Sequence, residues 1–247
     1  MQSNLDNLSI VLVETKTPAN IGAVARGMMN MGLSRLVLVD PPRDRDHEAL
    51  KLAAGAGELI EKAVICGTLE KALAGQGLVI GTSRHPGRRR KNIHSPGEMA
   101  REAVSLLDRN KVSVVFGNEV NGLTNRDLAL CHELISIPSS DKFPSLNLSH
   151  AAMIVMYEFF VASMAGPFAP STELASAEEL EQYFQHLDRT LRAIAFTDSV
   201  QAKRLLFSLR QVYGRARLDS REVSILQGIL SSVDRLARAV AEKDSKA

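Results

Sequence analysis

Residues 9–39 read SIVLVETKTPANIGAVARGMMNMGLSRLVLV. Two short apolar runs, Ser9–Glu14 and Arg35–Val39, flank a stretch where Ile21, Val24, Ala25 and Met28 recur at helical spacing. Short Val/Ile/Leu runs of this kind read as strands, and apolar positions three and four apart mark one face of a helix. Strand, helix and strand within about 30 residues make a βαβ unit, which needs parallel strands because the crossover returns the chain to its starting edge. The runs are near-continuously apolar, as expected of a sheet covered on both faces.

The same pattern recurs at Val64–Cys66, Leu78–Thr82, Val112–Gly117 and Leu134–Pro138. Helices fit between the strands. One spans Ala19–Met31. Ser95-Pro96-Gly97-Glu98 is a capping box with Pro at the first helical position, opening a helix through Leu107. Thr124 can cap a short helix through Cys131, and an apolar helix starts around Leu148 to Ser149. The alternation predicts an α/β domain with a parallel sheet over residues 1–165.

The breaker-rich stretch Ala165-Gly-Pro-Phe-Ala-Pro-Ser171 reads as a linker over residues 166–171. Residues 172–247 carry no strand pattern. Ser176 and Glu179 form a second capping box, followed by a stripe of Leu180, Tyr183, Phe184, Leu187 and Leu191. Thr197 or Asp198 can cap a helix ending at Gly214, and Val223, Leu226, Leu230, Val233, Ala237 and Val240 form a packing seam. The tail is a small all-helical C-terminal extension, too small to be very stable alone.

Trp is absent and aromatics are only 4%, so base stacking is not expected to be the main binding device. Cys66 and Cys131 lie far apart in no metal-like spacing and read as reduced thiols of a cytoplasmic protein. The start MQSNLDNLS lacks the features of a signal peptide, and no run of about 18 apolar residues is present to cross a membrane. The six histidines form no metal spacing, and neither GxGxxG nor GxxxxGK[ST] occurs, which argues against metal, nicotinamide and nucleotide-triphosphatase chemistry.

The net charge of +2 is unevenly placed. Arg84, Arg88, Arg89, Arg90 and Lys91 form a basic loop after a strand end. Residues 185–221 carry eight Lys/Arg, including Lys203, Arg204 and Arg210, against three Asp/Glu. Such clusters are either solvated faces or contacts to nucleic-acid phosphates.

Three segments fall at C-terminal strand ends, the edge where open α/β sheets bind ligands. The first is TPANIGAVAR, residues 17–26: Asn20 sits where a helix N-cap is expected, Gly22 permits close approach, and Arg26 lies near the second helical turn. The second is VFGNEVNGLT, residues 115–124, with Gly117, Glu119 and Gly122. The third is the bend SLNLS, residues 145–149, where Ser145, Asn147 and Ser149 alternate with Leu146 and Leu148 at a helix start. Exposed backbone N–H groups there favour polar ligands, and Ser149 alone reads as a simple cap.

Together, Asn-x-Gly-x-x-x-Arg, Phe-Gly-x-Glu-x-x-Gly-Leu and Ser-Leu-Asn-Leu-Ser resemble the three motifs of the SPOUT superfamily of RNA methyltransferases, in the branch that methylates ribose 2′-hydroxyls. The resemblance covers residues 9–163 and is closest to bacterial tRNA enzymes acting on the ribose at position 32 of the anticodon loop. It implies a C-terminal trefoil knot in the α/β domain, S-adenosylmethionine as methyl donor, no metal, a tRNA partner, and a homodimer whose sites use both chains. By position, the cofactor loops would be Thr82, Ser83 and Arg84; Gly117, Asn118, Glu119 and Gly122; Ile137; and Ser145, Leu146 and Asn147. The catalytic residue would be Arg26, supported by Asn20, Glu119, Ser145 and Asn147. Arg26, the loop Arg84–Lys91 and Lys203, Arg204 and Arg210 would hold RNA. A ribosomal RNA 2′-O-methyltransferase and a catalytically silent RNA-binding module are the competing readings; the C-terminal position of the extension favours tRNA.

Overall fold

The computed structural model describes residues 5–43, 46–84, 92–165, 172–196 and 199–244. In chain order the elements are β1 (Leu8–Val13), α1 (Pro18–Asn30), β2 (Arg35–Val39), α2 (Asp46–Ala53), α3 (Gly57–Glu61), β3 (Val64–Cys66), α4 (Leu69–Leu73), β4 (Leu78–Thr82), β5 (Ile93–His94), α5 (Pro96–Val104), β6 (Val112–Phe116), α6 (Asn125–Ala129), β7 (Glu133–Ile135), α7 (Leu148–Ser163), α8 (Ala177–Ala193), α9 (Ser199–Ala216) and α10 (Ser220–Asp244). A short 3-10 turn, Leu5–Asn7, precedes β1. The linker residues 166–171, the basic residues Arg88, Arg89, Arg90 and Lys91, and the expected caps Thr197 and Asp198 lie outside the described residues, as do the side chains of Lys203 and Val240.

All seven strands are parallel, in the order β3-β2-β1-β6-β4-β7-β5. The chain lays β1, β2 and β3 outward in one direction, then crosses to β4. Strands β6 and β7 are each inserted later between strands already in place. The two-residue periodicity of a strand sends alternate side chains to opposite faces. Ile10, Leu12, Leu36, Leu38, Ile80, Val114 and Phe116 join one core with residues of α1, α5 and α7. Val11, Val13, Val37, Val39, Val79 and Val115 join a second core with α4 and α6. The near-continuous apolar runs are thus explained by two covered faces.

Several boundaries differ from the sequence expectation. The strand expected at Leu134–Pro138 ends at Ile135, because residues 136–138 turn away toward the site. The two-residue strand β5 and helices α2, α3 and α4 carry too short a periodic signal to be read from sequence. Helix α9 runs past Gly214 to Ala216. Both Ser-led capping boxes are formed, at Ser95/Glu98 and at Ser176/Glu179. Neither cysteine forms a disulfide; Cys66 is half-buried and Cys131 is buried.

Helices α8–α10 share a core of their own, with Leu180, Tyr183, Phe184, Leu187, Val223 and Leu230 buried. His186 Nε2 lies 2.8 Å from Asp234, and Thr190 donates to the same carboxylate at 2.7 Å, tying α8 to α10. The first turn of α8 also donates backwards: Ala177 N–H bonds Gln76 O at 2.7 Å and Glu178 N–H bonds Ala74 O at 3.2 Å. These otherwise orphaned helix-terminal N–H groups find acceptors in the α4–β4 loop. Asn110 adds bonds to Thr172 O and Leu174 N–H, and Arg217 pairs with Glu102.

Gly22 is where α1 meets α2. A Cβ there would overlap the backbone carbonyl of Ala49. Neither backbone can yield without moving a packed helix, so Gly22→Ala is expected to lower stability by about 1–3 kcal/mol. Urea denaturation measures this; an unchanged midpoint would refute the packing argument.

Candidate active site

Glu119 joins the three sequence segments. Its carboxylate accepts from the backbone N–H of Lys16 at 2.9 Å, from the backbone N–H of Thr17 at 3.1 Å and from Asn20 Nδ2 at 2.7 Å. Asn20 Oδ1 accepts from Asn147 Nδ2 at 3.1 Å. Asn147 Oδ1 then accepts from Ser149 N–H at 2.8 Å, Ser149 Oγ at 2.7 Å and His150 N–H at 3.4 Å. One polar chain therefore runs from the β6–α6 loop through α1 to the start of α7.

Two expected caps change place. Helix α1 begins at Pro18, and Thr17 is its N-cap, extended at φ −105° and ψ 108° but making no side-chain cap bond. Glu119, about a hundred residues away, takes the N–H groups of Lys16 and Thr17 just ahead of the helix, placing a carboxylate where the helix dipole favours one. Asn20 lies inside the first turn, buried, with its amide turned to Glu119 and Asn147. At α7 the cap is Asn147, and Ser149 is a donor to it.

Burial alone would raise the Glu119 pKa. The N–H donors of Lys16 and Thr17 and the Asn20 amide outweigh it and hold the carboxyl below the usual carboxylate range.

The loop carrying Glu119 is tightly wound. Asn118 Oδ1 accepts from Val120 N–H at 3.1 Å and Asn121 N–H at 2.8 Å, and Gly122 N–H bonds Asn118 O at 2.9 Å. Gly122 has φ +65°, a left-handed conformation that favours glycine. A side chain at Gly117 would strike the Gly122 and Leu123 backbone.

Beneath this loop is a cavity of about 380 Å³ at the C-terminal ends of β4, β6 and β7. It gathers Thr82, Ser83, Arg84, Gly117, Asn118, Glu119, Gly122, Ile137, Ser145 and Leu146. Its position is the one where parallel sheets bind ligands, and its size suits a small molecule. Thr82 Oγ1 is fixed by Val115 O at 3.0 Å, and Ser83 N–H by Ile135 O at 3.0 Å. Leu123, Leu128 and Phe116 add an apolar wall that sequence reasoning missed. They belong to core-like runs, and only the fold turns them toward the cavity.

Other expected site residues stand elsewhere. Asn147 does not line the cavity but anchors its wall. Arg26 is exposed on α1 and is also absent from the lining. Arg204 is exposed on α9. Arg210 is half-buried, pairs with Glu181 at 2.8 Å and lies 4.3 Å over the Phe184 ring, so it braces α8 against α9.

Comparison with known proteins gives a consistent picture. A family model described as the SpoU rRNA Methylase family matches residues 7–157, and one described as the tRNA methyltransferase TrmJ C-terminal domain matches residues 178–243. The tRNA (cytidine/uridine/adenosine-2′-O-)-methyltransferase TrmJ of Pseudomonas aeruginosa is 40% identical over 98% of this chain and 99% of its own length. The tRNA (cytidine/uridine-2′-O-)-methyltransferase TrmJ of Photorhabdus laumondii is 38% identical over 95% of this chain and 99% of its own. The crystal structure of TrmJ from Z. mobilis ZM4 superposes with a TM-score of 0.78 at 30% identity, covering 92% of this chain and 98% of that one.

Because the Glu119 carboxyl is held below its ordinary range in the fold, the stability it contributes is present above about pH 4.5 and is lost as pH falls through its folded value. Glu119→Gln is expected to cost about 1.5–3 kcal/mol at pH 7, the scale of a charged hydrogen bond, and to flatten the acid limb of the stability curve. Urea midpoints across pH 3–7 check this; an unchanged acid limb would refute it.

Proposed function

Because the chain belongs to the TrmJ family of SpoU methylases, we propose that it transfers a methyl group from S-adenosylmethionine to the ribose 2′-hydroxyl of nucleotide 32, cytidine or uridine, in the tRNA anticodon loop. The observation that carries the reading is the Glu119 cluster, which ties the first motif segment by hydrogen bonds to the second and third, and these two line one cavity. The residues present suit that donor. Leu123, Leu128 and Ile137 offer apolar surface for an adenine ring, and the loops 117–122 and 135–137 offer backbone groups to its edge. Ionised Glu119 gives the wall a negative charge compatible with a sulfonium. When bound, the cofactor supplies an electrophilic methyl group. Holding donor and ribose oxygen in line is then the protein's main task, and positioning of this kind can supply about 7–11 kcal/mol of a barrier.

Arg26 has a positioning and charge-stabilising role. Its planar guanidinium clamps the adjacent phosphate and stabilises the developing alkoxide, and the proton leaves through phosphate or water. Its exposure outside the cavity of its own chain supports a homodimer in which the partner brings this residue. Helices α1 and α7 pack where Gly27 meets Met153 and Met156, and beside that contact Met29, Ile154, Tyr157 and Val161 are exposed. An apolar face on two adjoining helices suits a two-fold interface.

The late insertion of β6 and β7 into the sheet, and the return of residues 136–147 past the β4 and β6 loops, support a trefoil knot in a SPOUT domain of residues 1–165. Residues 166–171 then act as linker, and residues 172–247 as an extension that helps grip tRNA. No helix among the described residues is long and apolar enough to cross a membrane. A cytoplasmic site of action fits a tRNA substrate.

Mass-spectrometric mapping of tRNA from cells with and without this chain is expected to show a 2′-O-methyl group at position 32 that depends on the chain. Its appearance only in ribosomal RNA would overturn the reading. Arg26→Ala is expected to lower kcat by about 10²–10³-fold with cofactor affinity unchanged, and Arg26→Lys to fall well short of full activity. Mixing Arg26→Ala chains with Ser145→Trp chains is expected to restore about a quarter of the sites, since a two-fold dimer with composite sites leaves one intact site in each mixed pair. No recovery in mixed dimers would place Arg26 in the site of its own chain.

A further inference from the structure

Residues 139–144 form a turn that braces itself just before the cavity wall. Ser139 Oγ donates to Pro144 O at 3.0 Å, Phe143 N–H donates to Ser140 O at 3.1 Å, and Lys142 N–H donates to Ser140 Oγ at 3.3 Å. Phe143 is 80% exposed on this turn. Single exposed apolar residues are common and need no explanation. This one differs by its place. The next three residues, Pro144, Ser145 and Leu146, line the cavity. Leu146 and Val120, both cavity-lining, are also exposed, Val120 at 79%. Two separate polar loops therefore leave apolar side chains at the cavity. Phe116, Phe159, Tyr183 and Phe184 are buried, and the other exposed aromatics of the described residues, Tyr157 and Phe196, are not among those lining this cavity.

The reaction geometry says what such a surface meets. The 2′-oxygen of a nucleotide sits on the carbon next to the one bearing the base. A ribose that presents this oxygen to the cavity leaves its base at the rim, a few ångströms away, detached from its neighbours in the loop. Single-stranded bases in that position are held by stacking on aromatic rings, and cations beside the ring take the phosphates. Lys142, exposed and adjacent to Phe143, supplies the cation.

We propose that Phe143 is the stacking platform for the base of the nucleotide being methylated. The proposal rests on the reading of the cavity as the methyl-transfer site. Stacking suits the proposed acceptance of either cytidine or uridine, because every base offers a π-face. The ring is mounted on a braced turn that continues into the Asn147 cap, so its position is tied to that of the cavity wall.

The test uses the full chain with Phe143→Leu and Phe143→Trp, assayed for methyl transfer to tRNA and for S-adenosylmethionine binding by calorimetry. Phe143 is exposed, so neither change disturbs a core. Phe143→Leu is expected to lower kcat/KM about 10- to 100-fold, the range of one base–aromatic stack, with cofactor affinity unchanged and Phe143→Trp restoring activity. A tRNA with an abasic ribose at the methylated position is expected to lose a similar factor with the unaltered chain and no further factor with Phe143→Leu. If the unaltered chain methylates tRNA and Phe143→Leu matches it within about twofold, the stacking role is overturned while the reading of the site stands. If Phe143→Leu loses cofactor affinity in step with activity, the residue supports the cavity and the stacking role is again overturned. If the unaltered chain methylates no tRNA ribose, the reading of the site falls and the stacking role with it.

Discussion

The carboxylate of Glu119 is the contact on which the site depends. It takes two backbone N–H groups and one side-chain amide from the β1–α1 connection while its own loop walls the cavity. A helix start exposes N–H donors that must be satisfied, and Thr17 leaves them unsatisfied by its side chain. Glu119 takes the N–H groups of Lys16 and of the cap residue Thr17 from across the sheet. Its negative charge is thereby fixed in place and stabilised, and β1–α1 cannot shift without the cavity wall shifting too. Asn20 and Asn147 extend the same constraint to the start of α7.

This arrangement is possible only because the strands are parallel and β1 and β6 are neighbours. Parallel strands end together on one edge, so the loops after β1, β4, β6 and β7 meet there. Apolar layers on both faces hold the strands in register, with Ile10, Leu12, Val114 and Phe116 on one side and Val11, Val13 and Val115 on the other. The glycines of the 117–122 loop let the chain wind tightly enough to aim Glu119 at the connection. Packing of the sheet and chemistry of the site are two ends of one constraint.

The helical extension obeys a different logic. It has its own small core and is tied to the α/β part by polar contacts around Gln76, Asn110 and Glu102 and by Leu174 and Ala177, which pack against the two cores of the sheet. Charge read along the sequence treats all its arginines alike. In the fold Arg210 and Arg217 are engaged in ion pairs, whereas Arg204 is exposed. A linear count of cations overstates the surface available to a phosphate backbone.

Periodicity was enough to read the parallel α/β class, since two-sided burial writes itself into runs such as LSIVLV and RLVLV. Capping boxes at Ser95 and Ser176 were equally legible, because their partners lie three residues apart. The motif residues Asn20, Glu119 and Asn147 could be singled out, but not their bonds. Their partners lie about a hundred residues apart, and some are backbone groups that leave no mark in the sequence. The cap of α1 was misassigned for that reason, and the exposure of Phe143 and the withdrawal of Arg26 from its own cavity were hidden as well. Local interactions fix the longer apolar strands, the longer helices and the three-residue capping boxes from the sequence alone. The site is assembled by long-range hydrogen bonds and strand order, which only the tertiary structure decides.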